Sequence, residues 1–298
     1  MNALELASAR QAAWSVTANS LKSTVDNARW LTFGLSLAGA ILATVASQLP
    51  EGESRKFVAI IGAAILAIAT FVNLRFCSSE RSGAWVKARS AAEALKREIF
   101  KCAAGAAPYG DPTTADAILK LENAKVEDGV SNLTGELIDS KKAGTAPTSP
   151  LTQEEYVSWR VRGQIDAYYT PKAARFRRIA SRLRTTEMIF ALLATVITAV
   201  VGVLKKYPVN NIPFDLAALT SIFTTIGASV LANIEASRYA FLVTSYRATA
   251  RRLEQAMLDL NGPPPTRAAD WSAFVEKVES IIAAENNSWV AKWSGAGK

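Results

Sequence analysis

The chain alternates between four long stretches without a basic residue and amphipathic segments whose apolar residues recur at helical spacing. The first stretch, residues 31–49 (LTFGLSLAGAILATVASQL), is followed after a short loop by residues 57–74 (FVAIIGAAILAIATFVNL). A third covers 188–204 (MIFALLATVITAVVGVL), and a fourth covers 212–234 (IPFDLAALTSIFTTIGASVLANI), with a single acid, Asp215, near its start. About 20 residues rising 1.5 Å each cross roughly 30 Å of hydrocarbon, so every stretch is long enough to span a bilayer. Helices of a soluble bundle keep one charged face, whereas these runs are apolar all the way round. The pattern predicts two hairpins, hence four transmembrane helices. Because the first apolar run begins well inside the chain and has a partner, it does not read as a secretory signal.

The intervening segments read as helices as well. Asp111 and Pro112 predict the start of a helix that presents Ala117, Ile118, Leu121 and Val126. Thr152 with Glu155 forms a capping-box pattern ahead of Tyr156, Trp159, Val161 and Ile165. Thr170 and Pro171 predict a kink or a restart before the third span. Asn261 and Gly262, followed by Pro263, Pro264 and Pro265, predict a helix stop. A last amphipathic helix carries Trp271, Phe274, Val275, Val278, Ile281 and Ile282, a stripe expected to pack against other helices outside the membrane.

Shifting the sequence by 158 positions aligns Leu31 with Ile189, Arg89 with Arg247, Ala92 with Ala250 and Leu95 with Leu253, without a gap through either hairpin. Residues 1–142 and 151–298 then form two tandem two-span units joined by the small-residue and proline segment 143–150 (AGTAPTSP). Both units start and end on the same side of the membrane, so their orientation is the same, unlike inverted-repeat transporters. The fold class expected is an all-α membrane protein: two tandem hairpins, with long cytoplasmic helices forming a bundle.

Composition narrows the chemistry. The 298 residues include no histidine and only two cysteines, Cys77 and Cys102. Triad hydrolysis and His-based metal chemistry lack their parts, no Gly-rich phosphate loop is present, and neither an enzymatic activity nor a cofactor or metal is expected. The net charge of +8 comes largely from basic residues flanking the spans. Lys172, Arg175, Arg177, Arg178, Arg182 and Arg184 form the densest cluster, while the two hairpin tips hold only Arg55, Lys56, Lys205 and Lys206. This asymmetry predicts cytoplasmic N- and C-termini in a cell (inner) membrane and basic side chains on anionic lipid heads rather than on nucleic acid. Both cysteines then face a reducing compartment.

The fourth span is the most polar. Ser221, Thr225, Ser229 and Asn233 recur every fourth residue, with Thr220 and Thr224 beside them. Such a face either lines a hydrated path in an oligomer or bonds to backbone and neighbouring helices. The matching face of the second span, Ala59, Ala63 and Ala67, is small and apolar and reads as a site of close helix approach. Glu187 and Glu235 sit at span edges near Arg184 and Arg238, as edge ion pairs or as a cation-attracting pore mouth.

The stretch Trp85, Arg89, Ala92, Glu93, Leu95 and Lys96, just after a two-span hairpin, resembles the SLATT families (SMODS and SLOG-associating two-transmembrane effector domains). Residues 156–178 resemble the cytoplasmic helix that leads into the spans of that group, and the ending with Glu285 and Trp289 resembles its closing helix. The second unit departs from the first in having Arg251 where Glu93 stands, and the first has Ser131 where Trp289 stands in the second. The resemblance implies an oligomeric, pore-forming effector in bacterial defence, gated through its cytoplasmic helices. A cytoplasmic sensor or nucleotide signal is the partner it implies. The competing expectation is a non-conducting scaffold that presents those helices to a partner protein.

Overall fold

The computed structural model describes residues 2–140, 144–204, 216–260 and 268–294. The helix stop expected at 261–265 lies outside them, as do Lys205, Lys206 and Asp215. Every regular element among the described residues is helical. In chain order they are α1 (Ala3–Gln48), α2 (Glu53–Phe76), α3 (Ser79–Ala103), α4 (Pro112–Asp128), a 3-10 turn (Ser131–Glu136), α5 (Gln153–Tyr156), a π-helical segment (Val157–Tyr169), α6 (Thr170–Leu204), α7 (Leu216–Ser237), α8 (Tyr239–Leu258) and α9 (Ala268–Ser294). Four of these helical stretches are long and apolar enough to cross a membrane.

The chain forms two compact units, and each draws on both halves of the sequence. One comprises Met1–Val25, Ser79–Ala174 and Val243–Lys298; the other comprises Asp26–Ser78 and Arg175–Leu242 and holds the apolar runs.

The first unit has a conventional core. On α3, Trp85, Ala88, Ala92, Leu95, Ile99 and Ala103 recur every three or four residues and are all buried. They pack along α9, where Trp271, Phe274, Val275, Val278 and Ile282 of the expected stripe are buried and Ile281 is half-buried. A second cluster joins Ala3, Leu4 and Ala7 of α1 to Ile99, Tyr109, Leu119 and Ala146. Asp111 caps α4 by accepting from the Thr113 amide at 2.9 Å, with Pro112 in the first turn. Leu119 is the buried residue of α4, and of the expected face Ile118, which packs against the same cluster, and Val126 are half-buried while Ala117 and Leu121 are exposed. Segment 143–150 has the composition of a linker, yet Ala146 and Pro147 within it are buried. Ala146 accepts from the Ser8 hydroxyl at 3.2 Å, and Gly144 lies so near Ser8 that a methyl there would stand 2.9 Å from its carbonyl oxygen.

Thr152 and Glu155 form the complete reciprocal capping box. Beyond it the chain winds in the wider π register to Tyr169. Tyr156, Arg160, Val161, Ile165 and Tyr169 are buried there. At Thr170–Pro171 the helix does not break. The Thr170 amide still donates to Ile165, five residues back, and α-helical pairing resumes where proline contributes no N–H. The expected kink is thus a change of helical register.

In the second unit the apolar surface faces outward. Phe57, Ile60, Phe71, Leu74, Met188 and Leu192 are all more than 60% exposed. α1 and α2 pack through Gly39 and Gly62: a methyl on Gly39 would stand 2.6 Å from Leu66 Cγ and 3.3 Å from the Gly62 carbonyl oxygen. Ala59, Ala63 and Ala67, expected at a close helix approach, are exposed; the buried residues of α2 are Gly62, Ala69 and Val72. The face that approaches α1 is set by where glycine admits the neighbouring backbone, which an alignment to the fourth span does not reveal.

Candidate functional site

The polar residues of the second hairpin are brought together between α6 and α7. Glu187, Thr195 and Thr198 of α6, with Thr220, Thr224 and Gly227 of α7, line a hollow of about 660 Å³. A second hollow, of about 470 Å³, shares Thr198, Thr220 and Thr224 and adds Ser221 and Thr225. Phe190 and Phe223 stack beside them at 5.7 Å. Four of the six residues singled out on the fourth span therefore lie on these surfaces, while Ser229 and Asn233 line neither hollow. Thr195 and Thr198 went unnoticed in the sequence because they stand alone in an otherwise apolar helix, and only the partner helix shows that they face other hydroxyls.

The hydroxyls are arranged in two ways. Thr195, Thr198 and Thr225 donate to the carbonyls of Ala191, Ala194 and Ser221 at 2.8–2.9 Å, the back-bonding common for threonine in helices. Each retains lone pairs that point away from its own helix. Thr220 Oγ1 is buried and has no partner among the described residues. Glu187 lines the larger hollow and makes no ion pair with Arg184 among the described residues, contrary to the edge pairing expected; Glu235 is exposed. Arg175, Arg177, Arg178, Arg182 and Arg184 are exposed along α6, whereas the Lys172 ammonium sits 3.7 Å from the centroid of the Tyr168 ring.

The unit outside the spans holds a dense polar cluster. Arg160 donates from Nε and Nη2 to the two carboxylate oxygens of Glu279 at 2.8 and 2.7 Å, and the Tyr156 hydroxyl donates to Glu279 at 2.9 Å. Arg160 and Glu279 are no more than 1% exposed. Burial disfavours the charge on Arg160, but Glu279, through its charge and hydrogen bonds, holds the guanidinium protonated, above the ordinary arginine range. Its cationic carbon lies 4.5 Å from the centre of the Phe100 ring. Alongside, Arg89 pairs with Glu93 at 3.5 Å, donates to the Tyr168 hydroxyl at 2.8 Å and lies over Trp289, which meets Trp85 edge-on at 5.1 Å. The residues quoted separately for the family resemblance, Trp85, Arg89, Glu93 and Trp289, thus form one cluster. The closing Trp that the first half lacks is supplied to its α3 by the second half.

Four helices long and apolar enough to cross a bilayer, with exposed apolar surface, together with a separately cored helical unit, define a multi-span, all-helical membrane protein. Residues 156–289 match the family described as SMODS and SLOG-associating 2TM effector domain 1, and residues 12–117 match a family described as a protein of unknown function, DUF4231. The first match begins at Tyr156 and ends at Trp289, two residues of the buried clusters. No curated protein and no solved structure matches the chain.

Proposed function

We propose that the chain is an oligomeric membrane channel or pore-forming effector whose α6–α7 hairpin lines the conduction path and whose helical unit outside the spans gates it. The observation that carries this reading is the run of hydroxyls from Thr195 to Thr225 in two adjoining hollows, with Glu187 along the larger one. Hydroxyl oxygens can replace part of an ion's hydration, and a carboxylate at the edge of a span concentrates cations at the mouth of a path. The match to a 2TM effector domain over residues 156–289 supports a role as the membrane-acting component of a bacterial defence system. In this reading the two hairpins are parallel copies in the inner membrane, both termini lie in the cytoplasm, several chains surround the path, and no covalent chemistry is involved.

Ion flux from liposomes that contain the purified chain tests it. Wild-type protein releases a trapped cation under an activating condition, and Thr198→Leu with Thr224→Leu lowers the rate at least about tenfold by replacing hydroxyls with hydrocarbon. Vesicles that stay tight under every condition, or release that the double variant leaves unchanged, point instead to a non-conducting scaffold.

A further inference from the structure

Glu285, half-buried on α9, makes no hydrogen bond and no ion pair among the described residues. Four elements bring titratable or charged groups to it. α3 supplies Arg89 and Glu93, the π-helical segment Tyr169, α6 Lys172 and α8 Tyr246. Tyr169 and Tyr246 are buried, and their rings and that of Tyr168 lie 5.1–5.9 Å from one another. Both cations are engaged elsewhere. Arg89 is held by Glu93, the Tyr168 hydroxyl and the Trp289 ring, whereas the Lys172 ammonium sits 3.7 Å from the centre of the Tyr168 ring.

Burial outweighs the pull of these cations and lifts the Glu285 carboxyl to about 7. A neutral carboxyl needs no counter-ion and suits this packing. An ionised one is left half-buried and unpaired, and a charge in that setting calls for a cation. Lys172 is the one within its reach to win, because an ammonium over a single ring is held less firmly than a guanidinium with a carboxylate, a hydroxyl and a ring. Lys172 also stands two residues past Thr170, where the π register gives way to α-helix, and such register changes recur at functional sites. From there α6 runs on into the third span.

We propose that Glu285 is a proton switch. Neutral, it leaves Lys172 on the Tyr168 ring; ionised, with its proton lost to water, it draws the ammonium to itself and displaces the start of α6 relative to α9. What the switch gates rests on the reading of the second hairpin as a conduction path, but the displacement itself does not, so flux and displacement can fail separately.

Electron spin resonance on the full chain in detergent tests it. With Cys77 and Cys102 changed to Ser, spin labels are placed on Ala174→Cys of α6 and Ser288→Cys of α9, both exposed positions. Two label separations should exchange weight as a single proton titrates, the displaced one rising from about 10% of the molecules at pH 6 to about 90% at pH 8. Glu285→Gln, neutral at every pH, keeps the pH 6 separation throughout. Lys172→Gln, which removes the ammonium to be drawn, gives one separation at both pH values and serves if Glu285→Gln does not fold. The proposal is overturned if the parent labelled chain shows the same separation at pH 6 and pH 8, or if either variant keeps the pH-dependent change.

Discussion

Glu279 sits inside an apolar stripe, between Val275, Val278 and Ile282, and the sequence gives no sign of why an acid should stand there. The answer is Arg160, more than a hundred residues earlier, which together with Tyr156 satisfies both carboxylate oxygens. Removing one partner of such a pair strands the other charge in a dry core. Arg160→Met should therefore cost about 3–5 kcal/mol, and adding Glu279→Leu should recover most of the loss, as read by denaturation of the chain in detergent. Glu285 gives a separate signature. Burial lifts its carboxyl to about 7, with Glu93 adding to the rise and Arg89 and Lys172 opposing it. The folded state then holds this proton more tightly than the unfolded chain does, so stability falls as pH rises from about 4.5 to about 7 and levels off above. Glu285→Gln should flatten that decline and leave the protein more stable than wild type at pH 8, by about 1–2 kcal/mol; an unchanged stability–pH profile contradicts the assignment.

At the level of elements, local signals were legible wherever a cap or a period decides the outcome. The Asp111 and Thr152 caps, the apolar runs and the stripe of α9 all follow from spacing and side-chain chemistry within a few residues. The π-helical segment did not, because its buried positions look like an imperfect α-helical face until the backbone register is seen. The α1–α2 contact also escaped, since a face of alanines and a face with one glycine are equally apolar and only the second admits a neighbouring backbone. Gly39→Ala should force Leu66 out of its place and cost about 1–3 kcal/mol, while Gly39→Ala with Leu66→Ala should recover part of it; melting in detergent distinguishes the two.

For the whole molecule, the distribution of Lys and Arg predicts which side of the membrane each loop occupies. With Cys77 and Cys102 changed to Ser, a Gly52→Cys variant should react with a membrane-impermeant maleimide added to intact cells. Labelling that appears only after permeabilisation reverses the orientation. The division of the chain was only partly visible from its sequence: an alignment of residues 31–95 with 189–253 separates two halves, whereas the compact units cut across them.

The sequence by itself determined that this is a helical membrane protein with four spans, because hydrocarbon sets a minimum length of uncharged helix and the count of residues meets it four times. It also determined the caps that start α4 and α5. Tertiary structure alone decided which hydroxyls share a hollow, that Trp289 completes a cluster around Arg89, and that Arg160 and Glu279 are buried together. Spanning and capping depend on neighbours along the chain, while a buried charge or a packed glycine depends on what the fold places opposite it.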